Sequence, residues 1–432
     1  MNRQSAGIQD AGSWRGWVGT IVLVLLSLVV HWAVAAWGNS MPQISPFNDV
    51  NLYAQWAQRG LATNMWPGTN EPGVYPLLAL VSMVISQWFY AGNAVYAWLI
   101  FITLLNTVAI AAVSRRANGF RAGSYWLIFI VLLGPVAIGR IDAVAAAVDA
   151  FAVLAMLSGR DRLVLGLATA GAWIKIWPIV HAVSRLVALR SRDELARLIG
   201  VALALSFGVL ALGIALGGNE NMFSFLWLMG NRGIQIESPI ATPWVWGAHL
   251  GWGDSSIYFE SNIITFQVLG PGSEVISHLM LPGLVLALAI TVWLGLKAAR
   301  AGATKESIFV LTALTATLDM IVFNKVGSPQ FQAWLAVPVL AGILFGLPRW
   351  RLILGLSLAS AALTQWVYPL NYDAVVAAEP TALGVLTARN LLLILMLIWA
   401  NVRLGELSKT EAPESAAAVS AAAVSAAAES KN

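Results

Sequence analysis

The chain has 432 residues, of which 59% are hydrophobic and only 11% charged, with no cysteine and a net charge of +4. A soluble domain carries roughly a quarter charged residues, and a nucleic-acid binder gathers its basic residues with exposed aromatics into a patch, so neither class fits. The missing cysteines exclude disulfides and thiolate metal centres, and what remains is an all-α polytopic membrane protein, whose bilayer core takes about 20 apolar residues per helix.

In chain order, the first apolar run, residues 16–37, is too long for a signal peptide and lacks a small-residue cleavage site, so it reads as a retained anchor. Further runs follow at 93–113, 124–139, 142–158, 197–217, 276–296, 306–323, 331–347, 352–369 and 383–401. These predict ten spans, or up to about 12 if two ambiguous stretches also cross. Residues 75–90 begin YPLLAL and suit a helix lying at the interface or entering partway. Residues 163–189 lie between two basic clusters, Arg160/Arg162 and Arg185/Arg190/Arg192/Arg197. Both clusters belong on the cytoplasmic side, which predicts two short helices meeting near Lys175 and Pro178.

With the N-terminus inside, the positive-inside rule is met by all but six of the 25 Lys and Arg residues. The exceptions are Arg59, Arg140, Lys175, Arg232, Lys325 and Arg389, and this topology puts all six on or near the outer face. Two polar segments rich in Trp, Gly, Pro and Asn, residues 38–74 and 218–275, form the outer loops. Residues 1–401 read as one transmembrane domain, and residues 402–432 as a low-complexity, disordered cytoplasmic tail.

Cations that break a topology rule need a reason. Arg140 and Asp142 in GRIDAV sit at an outer turn, either as a local ion pair or as part of a site. Lys175 in AWIKIWP needs an anionic partner, since an isolated lysine at a span centre costs about 2.5 to 3.5 kcal/mol. Lys325 and Gln330 fall in NKVGSPQFQAWL, where Gly327 and Pro329 break the helix and free backbone groups to line a cavity. Arg232, Gln235 and Glu237 in NRGIQIES add to the outer face. Such convergence suits a lipid-linked phosphate, because Arg and Lys pair with phosphate oxygens through charge-assisted hydrogen bonds. The Trp rings offer flat apolar surfaces to the C–H faces of a sugar.

In the first outer loop, NDVNLYAQWAQRG carries Asp49 one helical turn before Tyr53. The spacing predicts a short helix over residues 48–58 ended by Gly60, with Asp49 and Tyr53 on one face. An acid in the first turn is also what a helix dipole favours, so capping is the simpler role. Glu71 and Glu237 are the rival acids, and Asp254 and Glu260 are weaker candidates. The four histidines are scattered and give no metal-ligand spacing. No protein-built metal site is expected, although a divalent ion bridging a phosphate and Asp49 stays compatible with the set.

The ordered set NDVNLYAQWA, VYPLLAL, GRIDAVAAAVDAFAVLAMLSGR, GLATAGAWIKIWPIV, RGIQIES, NKVGSPQFQAWLAVP and LTARNLLL resembles glycosyltransferase family 87, bacterial membrane enzymes of the C-type glycosyltransferase fold, over roughly residues 16–401. The resemblance implies an outer-face cavity of the plasma membrane in which a sugar passes from a polyprenyl-phosphate donor to a lipid or cell-envelope glycan acceptor. It also implies an aspartate of the first outer loop as catalytic base, which maps onto Asp49. The single proline of VYPLLAL and the absence of paired outer-loop histidines leave the sugar open between mannose and arabinofuranose.

The chemistry fits these residues. A departing phosphate needs its charge stabilised and no general acid, whereas the acceptor hydroxyl needs a base, a role commonly worth about 10²- to 10⁴-fold. Arg140, Lys175 and Lys325 are the expected phosphate ligands. Tyr53, Glu71, Asp142, Arg232, Gln235, Glu237 and Gln330 are the expected substrate contacts. The competing class is a flippase or secondary transporter, which predicts matched intramembrane charges in two repeats. A non-catalytic scaffold is the third reading.

Overall fold

The computed structural model describes residues 14–41, 46–230, 232–261 and 263–409. Arg3, Lys431 and most of the Ala/Ser-rich tail lie outside them.

In chain order the helices are α1 (Trp14–Asn39), α2 (Asn48–Thr63), α3 (Leu78–Gln87), α4 (Ala94–Ser114), α5 (Gly119–Leu133), α6 (Ile141–Leu157), α7 (Asp161–Ile174), α8 (Ile179–Val187) and α9 (Arg192–Ala215). After them come α10 (Ser224–Gly230), α11 (Thr242–Leu250), α12 (Ser273–Arg300), α13 (Lys305–Val322), α14 (Ala336–Leu344), α15 (Trp350–Gln365), α16 (Tyr372–Val376) and α17 (Pro380–Leu407). Helix α17 therefore runs past residue 401, where the tail was expected to begin.

Seven segments are long and apolar enough to cross a membrane: α1, α4, α5 with the turn to Ala137, α9, α12, α15 with the turn to Leu370, and α17. The other three predicted runs are also helical but shorter or more charged. They form the interior instead, where α6 and α13 are buried along almost their whole length. A helix covered by other helices need not be apolar all round, so α13 carries Thr315 and Thr317, each bonded to a carbonyl one turn back, and Asp319, which accepts from Thr291 at 2.6 Å. The periphery is the reverse: α9 and α12 are mostly exposed and apolar, as a lipid-facing surface requires.

Two local expectations hold. Helix α3 has ten residues, about 15 Å of rise, too short to cross. Residues 161–187 form a broken pair: α7 stops at Ile174, Lys175 is extended (φ −150°, ψ 132°), and α8 restarts after Pro178. Arg185 reaches back to Asp161 at 2.5 Å and to Glu194 at 3.0 Å, which closes the base of the pair and brings both ends to one side.

Two expectations need correction. Helix α2 does not end at Gly60; it continues to Thr63 and stops at Asn64, whose φ of 56° is left-handed and whose N–H bonds the Gly60 carbonyl. Glycine is required at 60 for a different reason, since a Cβ there would lie 2.1 Å from the Trp66 ring. The chain also has a small antiparallel sheet of order β1-β3-β2, with β1 (Ile234–Gln235), β2 (Ser256–Glu260) and β3 (Thr265–Leu269). Ile234 faces Val268 and Tyr258 faces Gln267 across it. The sheet fixes the segment 234–238, and Gln235 N–H donates to the Lys325 carbonyl at 2.9 Å. There Gly327 lets the 324–328 turn lie against Ser238, whose backbone nitrogen would be 2.1 Å from any added Cβ.

Candidate functional site

The site is assembled where α2, the start of α6 and the α7–α8 break meet. Asp49 stands in the first turn of α2, whose N-terminus has no side-chain cap. Its carboxylate instead pairs with Arg140 at 2.8 Å. Tyr53, one turn on, is buried, and its hydroxyl accepts the Ile141 N–H at 3.2 Å. That N–H is one of the four left over at a helix start, so Tyr53 caps α6 from outside the helix. It also meets the Tyr75 hydroxyl at 3.3 Å and packs its ring 5.1 Å from Trp98.

At the same helix start Asp142 is buried, accepts the Trp334 indole N–H at 2.6 Å and faces the Lys175 ammonium at 3.8 Å. A negative charge in the first turn of α6 is favoured by the helix dipole. Trp334 stacks with Phe331, 4.1 Å away, and with Trp177, 6.1 Å away. Lys175 also lies 4.5 Å over the Tyr75 ring, a cation–π arrangement. Arg140 reaches the Tyr368 hydroxyl at 3.4 Å.

Electrostatics tie these groups together. Burial pushes the Lys175 ammonium below its ordinary value, against the opposing pull of Asp142 and Asp49, and Arg232 and Arg140 push it further down. Burial is the largest single effect on Arg140 and works against its charge, but Asp49 together with Tyr368, Tyr53 and Tyr75 outweighs it and raises the guanidinium above its ordinary value. Arg232 is lowered by burial and feels Tyr75, and its Nε is buried with no hydrogen-bond partner among the described residues. Burial raises Tyr75, and Asp49 adds to the effect.

Three cations, Arg140, Lys175 and Arg232, thus stand against two carboxylates. The cluster has one positive charge in excess, and the Nε atoms of Arg140 and Arg232 are buried without a hydrogen-bond partner among the described residues, which suits an anion. Of the carboxylates, Asp142 is 1% exposed while Asp49 is 35% exposed. Only the second can exchange protons with a molecule arriving from outside.

The remaining candidates occupy a second, adjoining network. Burial raises the Glu237 carboxyl, and Arg389, Gln235 and Tyr372 oppose that rise. Arg389 is buried and donates to the Glu237 carbonyl at 2.7 Å. Tyr372 lies edge-on to Tyr368, 5.2 Å away, which links this network to Arg140. Gln235 is buried in β1 and accepts from the Ser328 hydroxyl at 3.3 Å, while the Tyr258 hydroxyl donates to Gln267 at 2.8 Å.

Lys325 points to α12, where it donates to Ser277 at 3.2 Å; Ser277 donates in turn to the Arg232 carbonyl at 3.5 Å. Through Ser277 it adjoins the Arg232 backbone at the edge of the cluster. Glu71 pairs with the exposed Arg59, on the same loop as Tyr75 but away from Asp49. Gln330 is half-buried in the turn before Trp334.

Sequence reasoning missed Tyr75, Trp177, Trp334 and Tyr368 as parts of these networks, and marked Arg389 as an outer-face cation without giving it a role. Tyr75, Trp177 and Trp334 fall inside stretches singled out for other residues, and nothing local marks Tyr368. His31 lies between the Ser27 carbonyl and Asn106, and His181 faces Asp149 at 2.6 Å in the core. Among the described residues no group of three acidic or histidine side chains is placed to hold a metal. Compared with models of known protein families and with curated proteins, the chain matches none.

Proposed function

We propose that the chain is an integral-membrane glycosyltransferase of the family 87 type, with the C-type fold and the ten helical runs as spans, acting on the extracytoplasmic face. The donor is a polyprenyl-phosphate sugar, mannose being the first candidate and arabinofuranose the second. The acceptor is a lipid or glycan hydroxyl.

The observation that carries the reading is the partly exposed Asp49 beside the buried cations Arg140 and Lys175. A polyprenyl phosphosugar is a phosphodiester with one negative charge, which the excess positive charge of the cluster complements. As the acceptor oxygen attacks the anomeric carbon, its proton passes to Asp49 and the sugar–phosphate bond breaks. The leaving phosphate then carries a second negative charge, and fixed cations aimed at charge that develops in the transition state are the usual source of rate enhancement. Burial of Lys175 and Arg140 strengthens their effect, because water screens them little.

The gathering of Asp49, Arg140, Asp142 and Lys175 into one site favours this reading over a transporter, in which ionisable groups would sit at matching places in two repeats. The test is transfer from radiolabelled polyprenyl-phosphate mannose or arabinose to a bacterial lipid extract, with and without chelator, by purified protein and by Asp49→Asn. Turnover should fall at least about 10²-fold in the variant while donor binding persists. An active Asp49→Asn enzyme with a dead Glu237→Gln or Glu71→Gln counterpart would move the base elsewhere.

A further inference from the structure

Helix α6 carries a second buried carboxylate that the proposed chemistry does not use. Asp149 follows Asp142 by seven residues, about 10.5 Å along the axis and about 20° short of two full turns, so both stand on one face of α6. Each meets a basic side chain of the segment that begins at the α7–α8 break: Lys175 lies 3.8 Å from Asp142, and His181 Nδ1 lies 2.6 Å from Asp149. Among the described residues these two contacts are the only polar ties between α6 and residues 175–187. Around them the packing is close. A Cβ on Gly171 would lie 2.9 Å from the Pro178 side chain and 3.9 Å from Val148, and the His181 ring packs 5.3 Å from Phe309 of α13. Asp149 and His181 are wholly buried, and Asp149 Oδ1 and His181 Nε2 have no hydrogen-bond partner among the described residues.

We infer that Asp149 and His181 are a positioning pair, which sets the register of α8 against α6 and so places the Lys175 ammonium at Asp142. A buried pair with unfilled valences is a poor source of stability, and apolar residues of similar size in its place often leave a protein as stable or more so. What such a pair has and apolar packing lacks is direction, and fixing register is the best-attested use of a buried polar contact. Register matters at Lys175 because its own contacts are long. Its backbone is extended between two helices, and its ammonium stands 3.8 Å from Asp142 and 4.5 Å over the Tyr75 ring. A slip of α8 by one helical turn would carry the break about 5.4 Å along α6, which takes the ammonium out of reach of Asp142. At the base Arg185 ties α8 to Asp161 of α7 and Glu194 of α9, so the tie of this arm to α6 is left to His181. The register stands apart from glycosyl transfer; its effect on turnover rests on Lys175 being a phosphate ligand, as proposed above.

The test sets Asp149→Leu combined with His181→Leu against His181→Asn, whose amide nitrogen takes the place of Nδ1 and keeps a directional contact. The double variant should melt no lower than the parent yet lose at least about 10-fold in kcat/KM for a polyprenyl-phosphate sugar, the size of one hydrogen bond to a charged group. His181→Asn should keep most of the parent's value. A double variant with the parent's turnover, or one that melts well below the parent, would reduce the pair to packing or to a stability element and overturn the assignment; so would a His181→Asn protein as impaired as the double variant. A second arm needs no reaction. The coupling of Lys175 to Asp142, measured by denaturing Lys175→Met, Asp142→Asn and their combination, should fall by at least about half when Asp149 and His181 are both leucine, although sites this far apart are ordinarily additive. An unchanged coupling overturns the assignment. If the parent transfers no sugar, the glycosyltransferase reading fails and this arm alone decides the register.

Discussion

Asp49 and Arg140 form an ion pair at 2.8 Å that joins the one cluster carboxylate open to solvent to a guanidinium almost wholly buried. A base held in this way is oriented, and an incoming anion competes for the same guanidinium. Arg140→Gln should therefore raise the donor KM by about 10-fold or more, since a hydrogen bond to a charged group contributes roughly 1.5–3 kcal/mol. Arg140→Lys should recover only part of this, because the planar fork that also reaches Tyr368 is lost. Initial rates against donor concentration decide it: an unchanged donor KM in both variants removes Arg140 from the phosphate site.

Lys175 and Asp142 answer to each other as a buried pair. Lys175→Met leaves Asp142 with the Trp334 indole alone, and breaking a buried pair costs about 3 kcal/mol or more. Asp142→Asn in the Lys175→Met background should restore part of that stability, because the stranded charge is gone. Chemical denaturation of the two single variants and the double variant gives the coupling directly. A strictly additive cycle would mean that the two groups do not interact.

Glu237 titrates above its ordinary value because it is buried. A carboxyl raised in the folded state adds stability that is complete below its unfolded value, 4.5, and is lost as pH rises through the folded value. Glu237→Gln imitates the protonated form. It should match the parent near pH ~4 and be the more stable protein near pH ~8, as read by thermal unfolding across that range. The opposite order, with the variant less stable at high pH, would mean that Arg389 holds the carboxylate ionised.

Gly60→Ala places a methyl against the Trp66 ring, which must move. Overpacking of this kind costs about 1–3 kcal/mol, here in the helix that presents Asp49. Melting temperature and turnover should both fall. A variant with the parent's melting temperature would show that Trp66 yields without loss.

The chain has no cysteine, so single cysteines report topology cleanly. Positions 254 and 373 should label from outside intact cells, and positions 118 and 302 only after permeabilisation. Labelling of 118 in intact cells would invert the assignment of faces.

Much of the fold was legible because bilayer helices are written as uninterrupted apolar runs. The break at Lys175 was legible too, since basic clusters on both sides of 163–189 left one arrangement that kept both inside. Asp49, Arg140, Asp142 and Lys175 stood out as charges in apolar surroundings, and the structure brings these four together. What stayed hidden depends on distant partners. The role of Gly60 is set by Trp66, and the purpose of Trp334 by Asp142. The short strands SIYFE and TFQVL carry too few residues for alternation to stand out in an outer loop already rich in aromatics. Lys325 belongs here too, since no local signal announces the Ser277 hydroxyl to which its ammonium donates.

The closed base at Arg185 and Asp161 bears on how the protein is made. The α7–α8 pair returns to its own starting point, with Arg185 against Asp161. Lys175 is carried inward at the tip of a wedge, and it can reach Asp142 only after α6 is already in place to receive it. A chain that ends before α7 therefore carries Asp49, Arg140 and Asp142 without the lysine that pairs with Asp142.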